Sequence, residues 1–327
     1  MERTVSMKTD KDSSAADANS KKFSIAGGRK SKALIENVME VIFTVCGLSA
    51  VAAVFAITAY MIISGTPALF KVGIVEMLFG TEWAPTAAQP SFGIAYIVLT
   101  SILGTMAAIV IGVPIGLLTA VFMSEVAGKK LAAAIKPAVE LLAGIPSIVY
   151  GLLGLLIINP IMGAIEKKLF ANDPSHVMNG GANMISAIII LAIMILPTVI
   201  NVSETALRAV PLKMRQASLA LGATPVQTIF KVTIPAAKSG IITAIVLGVG
   251  RAIGEAMAIV LVSGNVVNVP LPFNSVRFLT TGIVSEMSYA SGLHREALFT
   301  VGLVLFVFIM IINIVIAKIL KGGAEND

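Results

Sequence analysis

Six long apolar runs, separated by more polar segments, constrain the fold of this sequence more than any other feature. The runs lie at about 38–64, 93–123, 131–163, 183–203, 240–263 and 297–318. A helix needs about 20 apolar residues to cross the hydrocarbon core of a bilayer. Prolines interrupt the third run at Pro137, Pro146 and Pro160, but neighbouring membrane helices can satisfy the backbone groups that a proline frees. The sequence therefore predicts an all-α, polytopic membrane protein with six transmembrane helices.

Composition excludes several other classes of protein. Hydrophobic residues make up 57% of the chain and charged residues 13%, whereas soluble domains average about 45–50% and about 25%. The single cysteine, Cys46, allows no disulfide framework. His176 and His294 are far apart in polar segments, so we expect no metal site. The net charge of +6 comes from basic residues that flank apolar runs, a pattern typical of membrane topology and not of nucleic-acid binding.

The positions of the basic residues predict the orientation of the chain. Most of the 24 Lys and Arg residues fall on one side if both termini are cytoplasmic, as the positive-inside rule requires. Residues 1–34 are polar and are predicted to form a disordered cytoplasmic tail. Residues 35–323 would form the transmembrane domain, with 324–327 as a cytoplasmic end. On the outer side, we expect Trp83 to anchor at the interface and the loop 264–296 to fold against the helices.

The cytoplasmic loop 204–239 carries signals for two short helices joined by a sharp bend. Pro211 suits the first position of a helix. Gly222 suits a left-handed helix stop, and Thr224 followed by Pro225 reads as an N-cap and a first helical residue. The loop is too polar to cross the membrane and too patterned for a linker. We therefore expect a helix, a bend at Gly222 and a second helix at the inner face of the membrane.

Two charged residues, Arg251 and Glu255, interrupt the fifth apolar run. A charge at the centre of a membrane helix costs about 2.5–3.5 kcal/mol on insertion scales. Because they are four positions apart, the two side chains would share one face of a helix and could pair. One interpretation is a structural ion pair, with Gly250 and Gly254 allowing close helix contact. The other is an anion site, since a guanidinium binds phosphate oxygens with two parallel hydrogen bonds. The residues alone leave both open.

The cytoplasmic loop resembles the signature loop of permease subunits of binding-protein-dependent ABC importers. Here it reads Gln216-Ala217-Ser218, three residues, Gly222, nine residues, then Val232 to Pro235. Two positions differ from the family pattern: Gln216 replaces an acid and Ser218 an alanine. The resemblance implies a coupling helix from about Gln216 to Pro225, with contacts to a cytoplasmic ATPase. Its candidate residues are Gln216, Ala217, Ser218, Gly222, Ala223, Thr224 and Pro225. The alternative is a loop helix that only caps the bundle.

Further stretches resemble one branch of that family, the C-type permease of bacterial high-affinity phosphate importers. They read FGTEWAP (79–85), GVPIGLLTAVFMSE (112–125), LLAGIPSIVYGLLG (141–154), ILPTVINVSETALRAVP (195–211) and GRAIGEAMA (250–258). The resemblance implies the type I ABC importer permease fold and translocation of phosphate, with Arg251 and Glu255 in the substrate pathway. Ser147 and Tyr150 are further candidates for lining the pathway, although such residues also satisfy backbone groups freed by a proline.

The resemblance also implies a set of partners in the cytoplasmic membrane. These are a second, homologous permease, two copies of an ATP-binding subunit, an extracytoplasmic phosphate-binding protein and membrane lipid, but no nucleic acid. The sequence has no G-x-x-x-x-G-K-[ST] motif, so we expect a transport subunit that is not an enzyme and binds no cofactor, with ATP used by the partner. The alternatives are a permease for another oxyanion, sulfate or molybdate, or an ion-coupled secondary transporter, which would have no reason to keep the docking loop.

Overall fold

The computed structural model describes the backbone of residues 27–324 and the side chains of 36–315 and Lys318. The chain divides into two units, of which the first ends at Ala59 and the second begins at Tyr60. The first helix, α1 (Gly27–Val72), begins within the stretch 1–34 that was predicted to be a tail. Residues 1–26 of that tail, and 325–327 of the C-terminal end, lie outside the described residues.

Among the residues that the structure describes, five helical segments are long and apolar enough to cross a membrane. They are Glu36–Val72, Ala95–Val126, Ser147–Leu169, Met184–Arg208 and Gly292–Val315. A sixth crossing exists if the segments Pro225–Ala236 and Lys238–Ile253, which meet at a bend of 70°, count as one span. The prediction of an all-α, polytopic membrane protein is confirmed. The number of spans is six only if this bent pair is counted as one span.

The helices follow one another with two short strands near the beginning. After α1 come α2 (Ile74–Phe79), the antiparallel pair β1 (Trp83–Ala84) and β2 (Ser91–Phe92), α3 (Ala95–Val121), α4 (Lys129–Gly144), α5 (Ser147–Leu153), α6 (Asn159–Leu169), α7 (Met184–Arg208), α8 (Leu212–Ala220), α9 (Pro225–Thr228), α10 (Ile234–Ala236), α11 (Lys238–Ile253), α12 (Met257–Val262), α13 (Leu279–Glu286) and α14 (Gly292–Ala324). Wider π-helical turns extend α3 to Val126, join α5 to α6, and join α9 to α10.

Helix α7 is the centre of the second unit, with α3 and α11 packed along it. Small residues bring the backbones close: an added Cβ at Gly112 would lie 2.6 Å from the side chain of Ile195. At Gly116 it would lie 2.9 Å from Val199, and at Gly248 it would lie 3.0 Å from the same residue. Membrane helices associate mainly through such close packing, because lipid is as apolar as the side chains. Helix α11, the first part of the predicted fifth span, is therefore held in place by α3 and α7.

The third predicted span, 131–163, is wrong in its first half. Residues Lys129–Gly144 form a separate helix, α4, and the membrane-length segment starts only at Ser147. Ile145 is extended, with φ −70° and ψ 127°. A residue before proline is disfavoured in the helical region by contact with the proline ring, so Pro146 ends α4 and redirects the chain. Pro137, in contrast, lies inside α4 without ending it.

The fifth predicted span, 240–263, is also not one continuous helix. Helix α11 ends at Ile253, residues 254–256 are non-helical, and α12 is only six residues long. Gly264 and Asn265 then both have positive φ, 78° and 50°, which turns the chain away from the helix axis. The break at residues 254–256 separates Arg251 from Glu255, the two charged residues in this run.

The end of the bundle predicted to face outward is organised by one buried carboxylate, Glu286. It accepts hydrogen bonds from Trp83 Nε1 at 2.9 Å, from Arg277 Nη1, and pairs with His294 Nε2 at 2.8 Å. The loop 264–296 therefore folds against the helices as expected. Trp83, which is half-buried, packs into this network, and its position at the lipid interface stays a prediction. His294 lies in the first turn of α14, not in a polar loop.

Candidate functional site

Arg251 and Glu255 lie on opposite sides of the break in the fifth span. Arg251 is in the last turn of α11, and the backbone N–H of Gly254 closes that turn on the carbonyl of Gly250 at 3.2 Å. Glu255 follows outside the helix. The prediction that both side chains share one helix face is therefore wrong, because it assumed a helix that continues through Gly254.

The carboxylate of Glu255 belongs to the helix that follows it. Its Oε1 accepts a hydrogen bond from the backbone N–H of Ala258 at 3.0 Å, and its carbonyl accepts one from Thr280 Oγ1 at 2.7 Å. A carboxylate at the start of a helix satisfies a free N–H group and interacts favourably with the helix dipole. Glu255 thus fixes the start of α12 and ties it to α13.

The guanidinium of Arg251 has no carboxylate partner. The ion pairs in the described part of the chain all involve other residues, so the predicted Arg251–Glu255 pair is not formed. The side chain is half-buried, in a segment that is otherwise apolar. Of the two interpretations that the sequence allowed, the structural ion pair between Arg251 and Glu255 is therefore not found in this chain.

The glycines beside Arg251 leave open space. An added Cβ at Gly250 would meet nothing within 4 Å, and one at Gly254 would meet only the carbonyl oxygen of Gly250 at 3.4 Å. Both glycines are exposed. The prediction that they allow close helix contact is wrong within this chain. They instead leave the backbone around the guanidinium accessible from one side.

Ser147 and Tyr150 lie on a helix packed directly against the break. Helix α5 touches α12 so closely that an added Cβ at Gly151 would lie 2.7 Å from the Cα of Ala258. Ser147, half-buried, is the first residue of α5. Tyr150 lies one turn further along the same helix. The four pathway candidates are thus in neighbouring elements, on α5 and around the break.

The hydroxyl of Tyr150 has a structural partner. The residue is 4% exposed, and its hydroxyl donates to the carbonyl of Leu142 at 2.7 Å. In an unbroken helix this carbonyl would accept from the residue four positions on, which is Pro146 and has no N–H. Satisfying a backbone group freed by a proline was the alternative proposed for this residue, and Tyr150 makes that bond.

The cytoplasmic loop has the predicted bend. Helix α8 ends at Ala220, and Gly222 has φ 85°. Thr224 caps α9 with a reciprocal pair of bonds: its Oγ1 accepts from Gln227 N at 3.2 Å, and Gln227 Oε1 accepts from Thr224 N at 2.9 Å. Pro225 is the first residue of α9. One detail differs, because Pro211 is the N-cap of α8 and not its first residue.

The surface of this loop is exposed and partly apolar. Gln216, Ala217, Gly222, Thr224 and Pro225 are exposed, while Ser218 and Ala223 are half-buried. Ser218 contacts the second helix through its Oγ, 2.9 Å from Thr228 Oγ1. Leu221, at the bend, is 89% exposed. Other exposed apolar side chains here are Leu212, Met214, Leu219, Val226 and Phe230. Apolar surface surrounded by polar residues is typical of a protein contact site.

Ion pairs that the sequence did not reveal tie this loop to the bundle. Arg215 Nη2, on α8, lies 2.9 Å from Glu125 Oε1 and donates to the carbonyl of Leu207 at 2.7 Å. Glu125 is at the end of α3 and its side chain is 8% exposed. Glu204 pairs with Arg208 one turn on. That four-residue spacing was a visible signal, whereas the Glu125 contact spans 90 residues and had none.

Metal ligands do not cluster in the described residues. Among the described side chains, those of 36–315 and Lys318, no group of three or more His, Cys, Asp or Glu is arranged to hold an ion. The two histidines are each engaged by a buried carboxylate, His176 by Glu166 and His294 by Glu286.

The chain is similar to known permeases over most of its length. Residues 112–322 match the family described as "Binding-protein-dependent transport system inner membrane component". It is 35% identical over 301 residues to the probable ABC transporter permease protein YqgH of Bacillus subtilis, covering 88% of this chain and 93% of the relative. It is 33% identical over 247 residues to the phosphate transport system permease protein PstC of Pasteurella multocida, covering 72% and 77%.

A solved structure supports the fold. The chain aligns with the MetNI methionine ABC transporter with a TM-score of 0.50 and 21% identity, over 71% of this chain and 94% of the solved chain. The family match is consistent with the helical core of α3, α7 and α11 and with the bent cytoplasmic loop. ATP hydrolysis in this family is carried out by a separate subunit, so the chain is not an enzyme. It is a multi-pass membrane protein and belongs to the binding-protein-dependent transport system inner membrane components, the permease subunits of ABC importers, with PstC-type relatives.

Proposed function

We propose that this chain is the subunit that carries inorganic phosphate across the cytoplasmic membrane in an ATP-driven importer. The observation that supports this most directly is the guanidinium of Arg251, half-buried at the break of the fifth span and with no carboxylate partner among the described residues. The relatives named as phosphate permeases, at 30–33% identity in three bacteria, favour phosphate as the anion.

The chemistry of the break suits a transient anion site. A guanidinium presents a planar fork of N–H donors that matches two phosphate oxygens. Because the carboxylate of Glu255 caps α12, it does not neutralise Arg251 by direct contact. The open backbone at Gly250 and Gly254 leaves room for an anion to approach. A single cation is a weak site, which lets the anion leave again, so selection at high affinity would fall to the binding protein.

The break also gives a route for coupling. Helix α11 leads back through the 70° bend to the cytoplasmic loop. In this proposal the surface around Gly222 contacts the ATP-binding subunit through Gln216, Ala217, Ser218, Ala223, Thr224 and Pro225. Movement of that loop on ATP binding would shift α11 relative to α12 and change access to Arg251.

The complete importer in this proposal has a second, homologous permease beside this one. Two copies of an ATP-binding subunit lie on the cytoplasmic side, and a phosphate-binding protein delivers the anion from outside. Both termini of this chain are cytoplasmic, and the chain itself binds no cofactor. Membership of the ABC importer family removes the ion-coupled secondary carrier as an alternative.

Phosphate uptake by the reconstituted complex tests the choice of substrate. Proteoliposomes holding both permeases, the ATP-binding subunits and the binding protein are given labelled phosphate and ATP. We expect uptake that excess unlabelled phosphate abolishes and that equal sulfate or molybdate leaves unchanged. Uptake that sulfate or molybdate competes away as well as phosphate does would contradict the proposal and favour a permease for that oxyanion.

A further inference from the structure

Within the second unit, two adjoining cavities lie away from the break, between the last part of α1, from Tyr60 to Pro67, and helices α13 and α14. The first has a volume of about 340 Å³ and an apolar wall that includes Met61, Met287, Leu305, Phe306 and Ile309. The second, of about 380 Å³, is lined by polar and charged groups that include Ser64, Arg295 and Glu296. Phe299 lines both cavities. The two cavities therefore meet at the ring of Phe299, and we refer to the pair as the groove, with the apolar cavity as its body and the polar one as its head.

The polar head carries one positive charge in excess. Lys71 and Glu296 neutralise each other, with Nζ 2.7 Å from Oε2. Arg295 is exposed, and none of the ion pairs of the described residues includes it. Its guanidinium lies over the ring of Phe299, 6.0 Å from the centroid. A free cation at the rim of an apolar groove is complementary to a molecule with an anionic head and an apolar tail.

The length of the groove matches one leaflet of a bilayer. The helical path from Arg295 to Ile309 rises about 21 Å, at about 1.5 Å per residue. Half of a bilayer, with its headgroup region, measures about 20–22 Å. Arg295 lies in the first turn of α14, at the end of the span, where a phosphodiester of that leaflet would lie. The apolar wall then runs inward to the depth that acyl chains occupy.

We propose that this groove binds an anionic phospholipid, with the phosphodiester on Arg295 and one acyl chain along Phe299, Phe306 and Ile309. Free phosphate would use only the polar head and leave the apolar wall unfilled. Such a lipid would lie beside Gly302, where an added Cβ would already come within 3.0 Å of Met61 Cε. The site is separate from Arg251 and does not depend on which anion the permease transports.

The test uses the purified complex in nanodiscs that contain a phosphatidylglycerol with a photoreactive group in its acyl chain. After irradiation, mass spectrometry maps the labelled peptides. We expect label on the stretch 298–309 and a several-fold loss in Arg295→Gln. Gly302→Ile, which fills the groove beside Met61, should lose label as well. Lys318→Gln is the matched control, because Lys318 is an exposed cation at the far end of the same helix, and it should keep full labelling.

Three results would overturn the proposal. One is label spread evenly over the apolar faces of the spans, which would indicate bulk lipid only. Another is equal labelling of the wild type, Arg295→Gln and Gly302→Ile. The third is loss of the label when excess inorganic phosphate is added, which would make Arg295 a site for the free anion.

Discussion

Replacing Gly222 by valine isolates the contribution of the bend in the cytoplasmic loop. Gly222 has φ 85°, a conformation that costs a residue with a side chain about 1–2 kcal/mol and costs β-branched residues more. An added Cβ would meet nothing within 4 Å, so the free-energy cost comes from the backbone conformation and not from a steric clash. The bent loop should become about 5–30-fold less populated relative to unbent forms.

If the ATP-binding subunit recognises the bent loop, its affinity for the permease falls by up to the same factor, because only the competent fraction binds. Titration of the labelled ATP-binding subunit onto the permease in nanodiscs measures this affinity. Gly222→Asn should lose less, since asparagine tolerates the left-handed region. ATP-driven uptake should fall together with the affinity.

Gly128→Val is the matched control. Gly128 also has no atom within 4 Å of an added Cβ, but its φ is −59°, which valine adopts without strain. We expect wild-type affinity and uptake from this variant. Wild-type affinity in Gly222→Val as well would refute the reasoning, because it would show that the bend is not what the ATP-binding subunit recognises.

Two further substitutions test the contacts around the loop and the break. Arg215→Ala leaves the buried carboxylate of Glu125 without its guanidinium partner, which costs about 3–5 kcal/mol, so the thermal midpoint of unfolding should drop. The double variant Arg215→Ala with Glu125→Gln should recover most of that drop. No recovery in the double variant would contradict the pairing. Tyr150→Phe removes the shorter of the two hydrogen bonds to the carbonyl of Leu142 and leaves only the 3.4 Å bond from the backbone N–H of Ile145. The loss should cost about 0.5–1.5 kcal/mol, so stability should fall while the KM for phosphate stays unchanged; a higher KM with unchanged stability would instead place the hydroxyl in the substrate pathway.

The sequence predicted the loop well because its signals are local. A proline, a glycine with positive φ and a capping threonine act within a few residues, and each of them is visible in the sequence. The spans were predicted by length and hydropathy, which locate apolar runs but not their interruptions. Pro146 was a visible reason to end α4, yet Pro137 lies inside the same helix. Proline alone therefore does not tell a break from a tolerated position.

The site was predicted less completely than the loop. The spacing of Arg251 and Glu255 indicates a pair only if the helix continues, and the stop at Gly254 has no distinctive signal among so many membrane glycines. Contacts such as Trp83 with Glu286, or Arg215 with Glu125, join residues about 90 or more positions apart. No periodicity in a single sequence reports such contacts, because they depend on how the helices pack.

Phosphate uptake by the Arg251→Gln variant of the reconstituted complex tests the central claim most directly. Glutamine keeps hydrogen-bonding groups but removes the charge, and Lys129→Gln, at the exposed start of α4, controls for the loss of a cation elsewhere. The account predicts that Arg251→Gln abolishes uptake while the complex stays assembled and still hydrolyses ATP, and that Lys129→Gln transports normally. Wild-type uptake in Arg251→Gln, or loss of assembly in place of uptake, would contradict it.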